Sequence, residues 1–241
     1  MKAKVTYVHH SGYKIQIDDV ILIFDYIGGD LGLENADPDK KIYFFVSHAH
    51  GDHFSPKIFG YDKQVCKYIL SFDIMKGEKH RERIAREFSD KTVVAEKNDE
   101  FEVDGMHIRT LTSTDEGVAF VVGIGGKNIF YAGDLNDWYW EMEDDEHHRA
   151  TMHGMFAKEM NKLKDIKIDI AMFPVDGRLQ GQYDLGSSQV LRLGVGHFFP
   201  MHFWGEYKIT TKFKQKYENV YKNTGIYEIT KDGENFEIIL T

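Results

Sequence analysis

Short runs of apolar, strand-forming residues, broken by polar or glycine pairs, dominate the first half of the chain. The pairs Asp18-Asp19 and Gly125-Gly126 suit tight hairpin turns between such runs. The run from Lys41 to Val46 differs from the others because it is apolar without alternation. That pattern predicts a strand covered on both faces, and the strand leads directly into Ser47.

The same reasoning predicts the other elements of the chain. Strands are predicted in chain order over residues 4–8, 13–17, 20–26, 41–46, 66–70, 91–95, 101–103, 106–112, 118–124, 128–131, 168–175, 198–201, 226–229 and 236–240. Helices are predicted just after Pro56 and over residues 78–88, 145–164 and 187–193. Strands, then a mixed stretch, then strands again favour two packed sheets with helices outside.

Composition limits the number of domains, the class of partner and the cellular location. The chain has 241 residues, of which 42% are hydrophobic, and no Pro- or Ser-rich stretch divides it, so we predict one domain over 1–241. A net charge of -9 disfavours nucleic-acid binding. Cys66 is the one cysteine and the first residues resemble no secretory signal, so we expect a cytoplasmic protein that does not span a membrane.

Residues suited to metal binding concentrate directly after the buried run. Within six residues the sequence places two pairs, His48 with His50 and Asp52 with His53. Imidazole and carboxylate are zinc ligands, and a catalytic zinc keeps one position open for water. The first pair points the same way on an extended segment, and Gly51 permits the turn that brings in the second. The loop therefore predicts a pair of ligands for each of two metals.

The spacing His48-X-His50-X-Asp52-His53 resembles the signature loop of the metallo-β-lactamase superfamily. Other segments resemble that family in the same order: residues 8–13 with 21–25 as its opening hairpin, 130–134 as its strand ending in Gly-Asp, and 199–203 as its late strand presenting the last histidine. The resemblance implies an α/β fold, the αββα four-layer sandwich of the metallo-β-lactamase type.

The resemblance also implies roles for particular residues. The implied metal ligands are His48 and His50 for a first metal, Asp52, His53 and His202 for a second, and Asp134 bridging the two. The implied cofactor is zinc, as one or two ions, with manganese or iron as alternatives. Asp52 is the implied catalytic residue, because it lies close to the bridging hydroxide and can orient it and move its proton.

One departure from the family leaves the first metal site open. Members usually carry another histidine before a glycine, between the histidine loop and the Gly-Asp strand. Residues 111–118 contain no histidine here, and His107 lies too early. Either Asp115 or Glu116 replaces it and adds an oxygen ligand, or the first site is weakened and one metal in the second site suffices.

The resulting expectation is a hydrolase that uses a metal-activated hydroxide on a small ester, lactone or phosphoester. The alternatives are a phosphodiesterase or nuclease of the same fold, and a non-catalytic metal-binding regulatory protein with a degraded first site. We expect a small-molecule substrate, with no membrane partner, and the sequence leaves the oligomeric state open.

Two further features have alternative interpretations. His10 is either a packing residue or a contact near the site. The segment Trp138-Tyr139-Trp140 either packs in the core or lines a pocket.

Overall fold

The computed structural model describes three stretches of the chain, residues 1–33, 37–141 and 145–241. They form two compact units, Met1–Lys97 with Lys231–Thr241, and Asn98–Thr230. Each unit contains one seven-stranded sheet together with its own helices. The single domain over 1–241 stays a prediction. None of the described helices is long and apolar enough to cross a membrane.

The described residues of the first unit form seven strands and one α-helix. These are β1 (Lys2–His9), β2 (Gly12–Ile17), β3 (Val20–Phe24), β4 (Lys41–Val46), β5 (Val65–Ser71), α1 (Glu78–Glu87), β6 (Thr92–Ala95) and, at the end of the chain, β14 (Glu234–Ile239). The spatial order is β14-β1-β2-β3-β4-β5-β6. Neighbours from β14 to β3 pair antiparallel, and neighbours from β3 to β6 pair parallel.

Apolar side chains of β4 and its neighbours form the core of this unit. Phe44 and Tyr68, on adjacent strands, have ring centroids 6.0 Å apart. The rings of Phe59 and Phe88 stack at 4.4 Å, and both residues belong to the same buried cluster. Complete burial of such a side chain stabilises the fold by roughly 1.5–3 kcal/mol. This packing explains why the β4 run is continuously apolar, and it fixes the position of the loop that follows β4.

The second unit repeats the same plan. Its elements are β7 (Glu100–Val103), β8 (Met106–Thr112), β9 (Val118–Ile124), β10 (Lys127–Tyr131), α2 (Glu146–Asn161), β11 (Ile170–Pro174), α3 (Leu185–Arg192), β12 (His197–Met201), α4 (Tyr207–Tyr217) and β13 (Gly225–Ile226). The spatial order is β13-β12-β11-β10-β9-β8-β7. Neighbours from β7 to β10 pair antiparallel, and those from β10 to β13 pair parallel.

Parallel pairing places predicted site residues, together with carboxylates that were not predicted, at one edge of each sheet. In the first unit, β3 and β4 end just before Asp25 and Ser47. In the second unit, β10, β11 and β12 end shortly before Asp134, Asp176 and His202. Carboxyl ends of parallel strands lie at the same edge of a sheet, which is where α/β folds place ligand-binding groups.

The elements agree closely with those predicted, with a few corrections. α4 was not predicted, and neither were two short 3-10 helices, Phe72–Lys76 and Gly177–Gln182. The strand predicted over 226–229 is shorter and lies at Gly225–Ile226. In α2, Phe156 is buried as the apolar pattern predicts, but Met155 is exposed.

Candidate metal centre

The histidine loop turns sharply directly after β4. The amide N–H groups of His53 and Phe54 both donate to the carbonyl oxygen of His50, at 3.0 and 2.8 Å. The amide of Ala49 donates to Oδ2 of the buried Asp73 at 2.8 Å. Together these bonds fix the backbone that carries all four predicted ligands of the first unit.

His48 and His50 place two ring nitrogens next to each other. Nε2 of His48 lies 3.1 Å from Nδ1 of His50, and a carboxylate oxygen of Asp52 lies within 4.8 Å of both. Two nitrogens bound tetrahedrally to zinc at 2.0–2.1 Å are about 3.3 Å apart. The spacing and chemistry of these donors therefore fit a divalent metal.

A buried carboxylate orients two of the imidazoles. Oδ2 of Asp25 accepts hydrogen bonds from Nδ1 of His53 at 2.6 Å and from the Ser47 hydroxyl at 2.5 Å, and Oδ1 accepts the Ser47 amide at 2.7 Å. The Ser47 hydroxyl is also 2.9 Å from Nδ1 of His48. Because the hydroxyl donates to Asp25, it accepts from Nδ1 of His48. Both histidines then have Nε2 available for a metal, an arrangement typical of metal-binding histidines.

The second unit contains the other two predicted ligands. Nε2 of His202 lies 3.5 Å from Oδ1 of Asp134, and both residues are buried. Nδ1 of His202 donates to Oδ2 of Asp176 at 3.0 Å, so Asp176 orients His202 as Asp25 orients His53. Burial alone would raise the pKa of Asp176. Hydrogen bonds from His202 and Arg178 outweigh that effect and hold the pKa below its usual value.

The segment without the expected histidine binds the Asp134 loop through Thr114. The Thr114 hydroxyl donates to the carbonyl oxygen of Asn136 at 2.6 Å and accepts the Asn136 amide at 3.0 Å. The next residue, Asp115, is exposed, and one of its carboxylate oxygens lies within 4.8 Å of one of Asp134. Of the two replacements considered, the geometry favours Asp115, because Glu116 belongs to no candidate ligand group among the described residues.

Other histidines have partners of their own. His107, on β8, lies 2.8 Å from a carboxylate oxygen of Glu100 and is half exposed. On α2, Nδ1 of His153 lies 2.7 Å from the buried carboxylate of Asp137. These contacts agree with the interpretation that neither histidine is a metal ligand.

Aromatic side chains surround His202. We call Trp138, Trp140 and Trp204 the aromatic patch. The rings of Trp138 and Trp204 lie 5.5 and 5.9 Å from that of His202. The guanidinium of Arg178 lies 4.9 Å from the ring centroid of Trp204 and 5.6 Å from that of Trp140. Trp204 is 52% exposed, which is unusual for so large an apolar side chain.

Sequence reasoning gave no role to Asp25, Asp73 or Asp176. All three follow the carboxyl end of a parallel strand, and each hydrogen-bonds a predicted ligand or its loop. A buried strand followed within two residues by aspartate was the signal that could have identified them.

Comparison with known proteins agrees with this architecture. Residues 4–202 match the family described as the Beta-lactamase superfamily domain. A UPF0173 metal-dependent hydrolase from Nanoarchaeum equitans is 27% identical, over 96% of this chain and 98% of that protein. Another from Korarchaeum cryptofilum is 24% identical, over 98% of this chain and 99% of its own length.

A solved structure shows the same fold. Igni18, a metallo hydrolase from Ignicoccus hospitalis, matches with a TM-score of 0.68 and 18% identity, over 100% of both chains. The two sheets and this likeness confirm the predicted α/β fold of the metallo-β-lactamase type. The predicted class, a metal-dependent hydrolase, is confirmed at the level of the family. The chain belongs to the metallo-β-lactamase superfamily.

Proposed function

We propose that this metal-dependent hydrolase cleaves an ester, lactone or phosphoester bond in a small molecule. The observation that carries the proposal is the pair of ring nitrogens on His48 and His50, 3.1 Å apart, on a loop that also carries Asp52 and His53. A cluster of this composition has few uses besides holding a divalent cation, and hydrolysis is the chemistry such a cation supports.

The proposed ligands are those predicted from the sequence: His48, His50, Asp52, His53, Asp134 and His202. Histidine nitrogens with carboxylate oxygens suit zinc, and the share of oxygen ligands also admits manganese or iron. The proximity of Asp115 to Asp134 supports a completed first site, and therefore two ions instead of one. It counts against a regulatory protein with a degraded site.

The bound metal would acidify a coordinated water and polarise the carbonyl or phosphoryl group of the substrate. The protein's own residues then have separate tasks. Asp52, whose side chain is 28% exposed, accepts a proton from the attacking water and passes it to solvent. Asp25 and Asp176 keep His53 and His202 in the tautomer that presents Nε2.

The aromatic patch supports a substrate with a flat or apolar part. Trp204 follows His202 by two residues, and both have left-handed backbone angles, φ of 51° and 62°. This conformation is strained for a tryptophan, and strain of this kind concentrates at binding sites. We place the apolar part of the substrate against Trp204, beside the polar groups that hold the metal.

Composition supports a cytoplasmic location and a small-molecule substrate. A single cysteine, Cys66, allows no internal disulfide, which suits the reducing cytoplasm. A net charge of -9 supports a small-molecule substrate over a nucleic acid.

A turnover screen of zinc-loaded protein tests this function. The probes are p-nitrophenyl esters, simple γ- and δ-lactones, and bis(p-nitrophenyl) phosphate. We expect turnover of at least one class, and a loss of more than about 100-fold in Asp52→Ala, which exceeds the effect of a residue outside the ligand set. His107→Ala, at an exposed histidine paired with Glu100, is the matched control and should keep full activity.

Each other outcome selects an alternative. If the metal-loaded protein turns over none of the three classes, the result supports a non-catalytic metal-binding regulatory protein. Activity confined to the phosphodiester, extended to oligonucleotides, supports the nuclease. Full activity of Asp52→Ala would remove Asp52 from the mechanism.

A further inference from the structure

His10 occupies the turn between β1 and β2, where 4% of its surface is exposed. Its φ of 55° is in the left-handed region, which is unfavourable for most residues other than glycine. The turn is also tightly packed: a Cβ on Gly12 would lie 3.0 Å from the carbonyl oxygen of His9 and 3.2 Å from that of Asp25. The fold thus holds a buried imidazole here in spite of local strain.

The direction of the strands brings this turn to the metal-binding edge of the first sheet. β2 runs antiparallel to β3, and Tyr13 at its start lies opposite Phe24 at the end of β3. The residues before β2 therefore lie beside Asp25, the carboxylate that orients His53.

The imidazole of His10 faces the proposed ligands Asp52 and His53. Nε2 of His10 lies 3.4 Å from Oδ2 of Asp52, and the same oxygen lies 3.8 Å from Nε2 of His53. The three ligand atoms lie within 4.8 Å of one another. The rings of His10 and His53 meet edge to face, with centroids 5.7 Å apart at 80°.

The His10–Asp52 spacing of 3.4 Å is that of two ligands around one cation, and the His53–Asp52 spacing of 3.8 Å is slightly longer. Ligands bound at 2.0–2.2 Å are separated by about 2.8–3.6 Å at octahedral to tetrahedral angles. Two imidazoles with one carboxylate form a well-established ligand set for zinc and for iron(II). Packing among apolar neighbours does not account for a ring nitrogen this close to a carboxylate.

The neighbouring histidine provides a contrast. The side chain of His9 is 51% exposed, and its Nδ1 lies 2.9 Å from Asp232 in a surface ion pair. The two adjacent histidines therefore have different environments. His9 is an exposed partner of Asp232, whereas His10 is buried and faces both a carboxylate and a second imidazole.

We infer that His10 is a direct ligand, through Nε2, of the metal that Asp52 and His53 hold. The inference rests on the proposed function, since it adds a ligand to the proposed metal site. It was not predictable from the histidine loop, because His10 lies 38 positions before the first histidine of that loop.

The test compares His10→Asn with the matched control His9→Asn. Asparagine tolerates the left-handed backbone but cannot place a nitrogen where the imidazole Nε2 lies. Metal-free protein is titrated with zinc in competition with a chromophoric chelator, and with cobalt(II) while the visible absorption of the ion is followed. An unchanged thermal midpoint of metal-free His10→Asn establishes that the fold is retained, and His10→Gln serves as the second variant if it is not.

We expect one of the bound ions to dissociate at least tenfold more readily from His10→Asn, with an altered cobalt spectrum. His9→Asn should match the wild type in both measurements. Wild-type affinity in His10→Asn, or weaker binding with an unchanged cobalt spectrum, would overturn the ligand role and leave the proposed function intact. Failure of the wild type to take up metal would overturn both.

Discussion

At the scale of single residues, the most informative side chains are buried carboxylates that the ligand set predicted from the sequence does not include. Asp25 has no exposed surface, and it accepts hydrogen bonds from His53, the Ser47 hydroxyl and the Ser47 amide. A buried carboxylate is costly unless such donors compensate its charge. The same hydrogen bonds fix the orientation of the His53 and His48 rings. They therefore stabilise the buried charge and also hold the two imidazoles in the orientation suited to binding a metal.

The histidine missing from the first site is a second question at the scale of residues. The sequence left two alternatives open, a replacement by Asp115 or Glu116 and a weakened first site. In the structure Thr114 holds the loop of Asp134 through Asn136, and Asp115 places an oxygen within 4.8 Å of the Asp134 carboxylate. We therefore expect Asp115 to complete the first site.

Asp115→Ala should lower metal content by one equivalent or weaken one site at least tenfold, because a ligand is lost. Glu116→Ala is the matched control, since it removes a neighbouring carboxylate that belongs to no candidate ligand group among the described residues. Elemental analysis after loading with zinc and gel filtration measures the difference. Equal metal content in the two variants and the wild type would show that Asp115 is not a metal ligand.

Some residues of the candidate site could be predicted from the sequence and others could not. His48, His50, Asp52 and His53 are close in sequence, so their spacing carries the signal by itself. Asp176 and His202 are 26 positions apart, and their contact depends on the pairing of β11 with β12. A contact of that kind becomes visible only when the strand order is known.

At the scale of elements, strands were predicted better than helices. β4, β8 and β9 begin and end where the apolar pattern indicated, because buried strands need continuous apolar residues. α4 was missed because it contains adjacent β-branched residues, Thr210 and Thr211, and few apolar ones. Tertiary contacts stabilise it instead: the Thr210 hydroxyl donates to the carbonyl oxygen of Ile229 at 3.0 Å.

Asp137 links the Asp134 loop to two helices, which gives an element-scale prediction. Its fully buried carboxylate accepts from Arg149 and His153 of α2 at 2.7 Å each, and from Gln189 of α3 at 2.8 Å. Asp137→Ala should therefore lower the free energy of unfolding by about 2–3 kcal/mol, discounted because Arg149 and His153 are partly exposed. Urea denaturation followed by circular dichroism measures the loss.

The matched control for this prediction is Asp145→Ala. Asp145 is an exposed aspartate that caps α2 by accepting the His148 amide at 2.7 Å. Loss of such a cap costs about 1 kcal/mol. If the free energy of unfolding fell equally in both variants, Asp137 would contribute no more to stability than the helix cap at Asp145.

At the scale of the whole molecule, the two units share one plan of strand pairing. In each sheet three antiparallel pairings are followed by three parallel ones, and the ligands predicted from the sequence follow strands that have a parallel partner. The family and its metal chemistry follow from this plan and from the histidine loop. The substrate does not, because it depends on side chains such as Trp204, whose left-handed backbone conformation cannot be predicted from a non-glycine sequence.

Metal removal should change the stability of the whole protein. A ligand that binds only the folded state stabilises it by about 2.7 kcal/mol when its free concentration is 100 times its dissociation constant. The folded chain brings the donors of His48 and His50 to 3.1 Å, and the unfolded chain does not hold them there. Chelator should therefore lower the thermal midpoint, and added zinc should restore it.

His50→Ala separates this effect from a general loss of packing. His50 is exposed, so its removal should cost the metal-free protein little, yet it deletes a proposed ligand and should shrink the rise in midpoint that zinc produces. His107→Ala, at an exposed histidine paired with Glu100, should keep the full rise. Differential scanning fluorimetry of the three proteins, with chelator and then with excess zinc, makes the comparison. A midpoint that neither chelator nor zinc moves in the wild type would mean that the folded protein holds no metal.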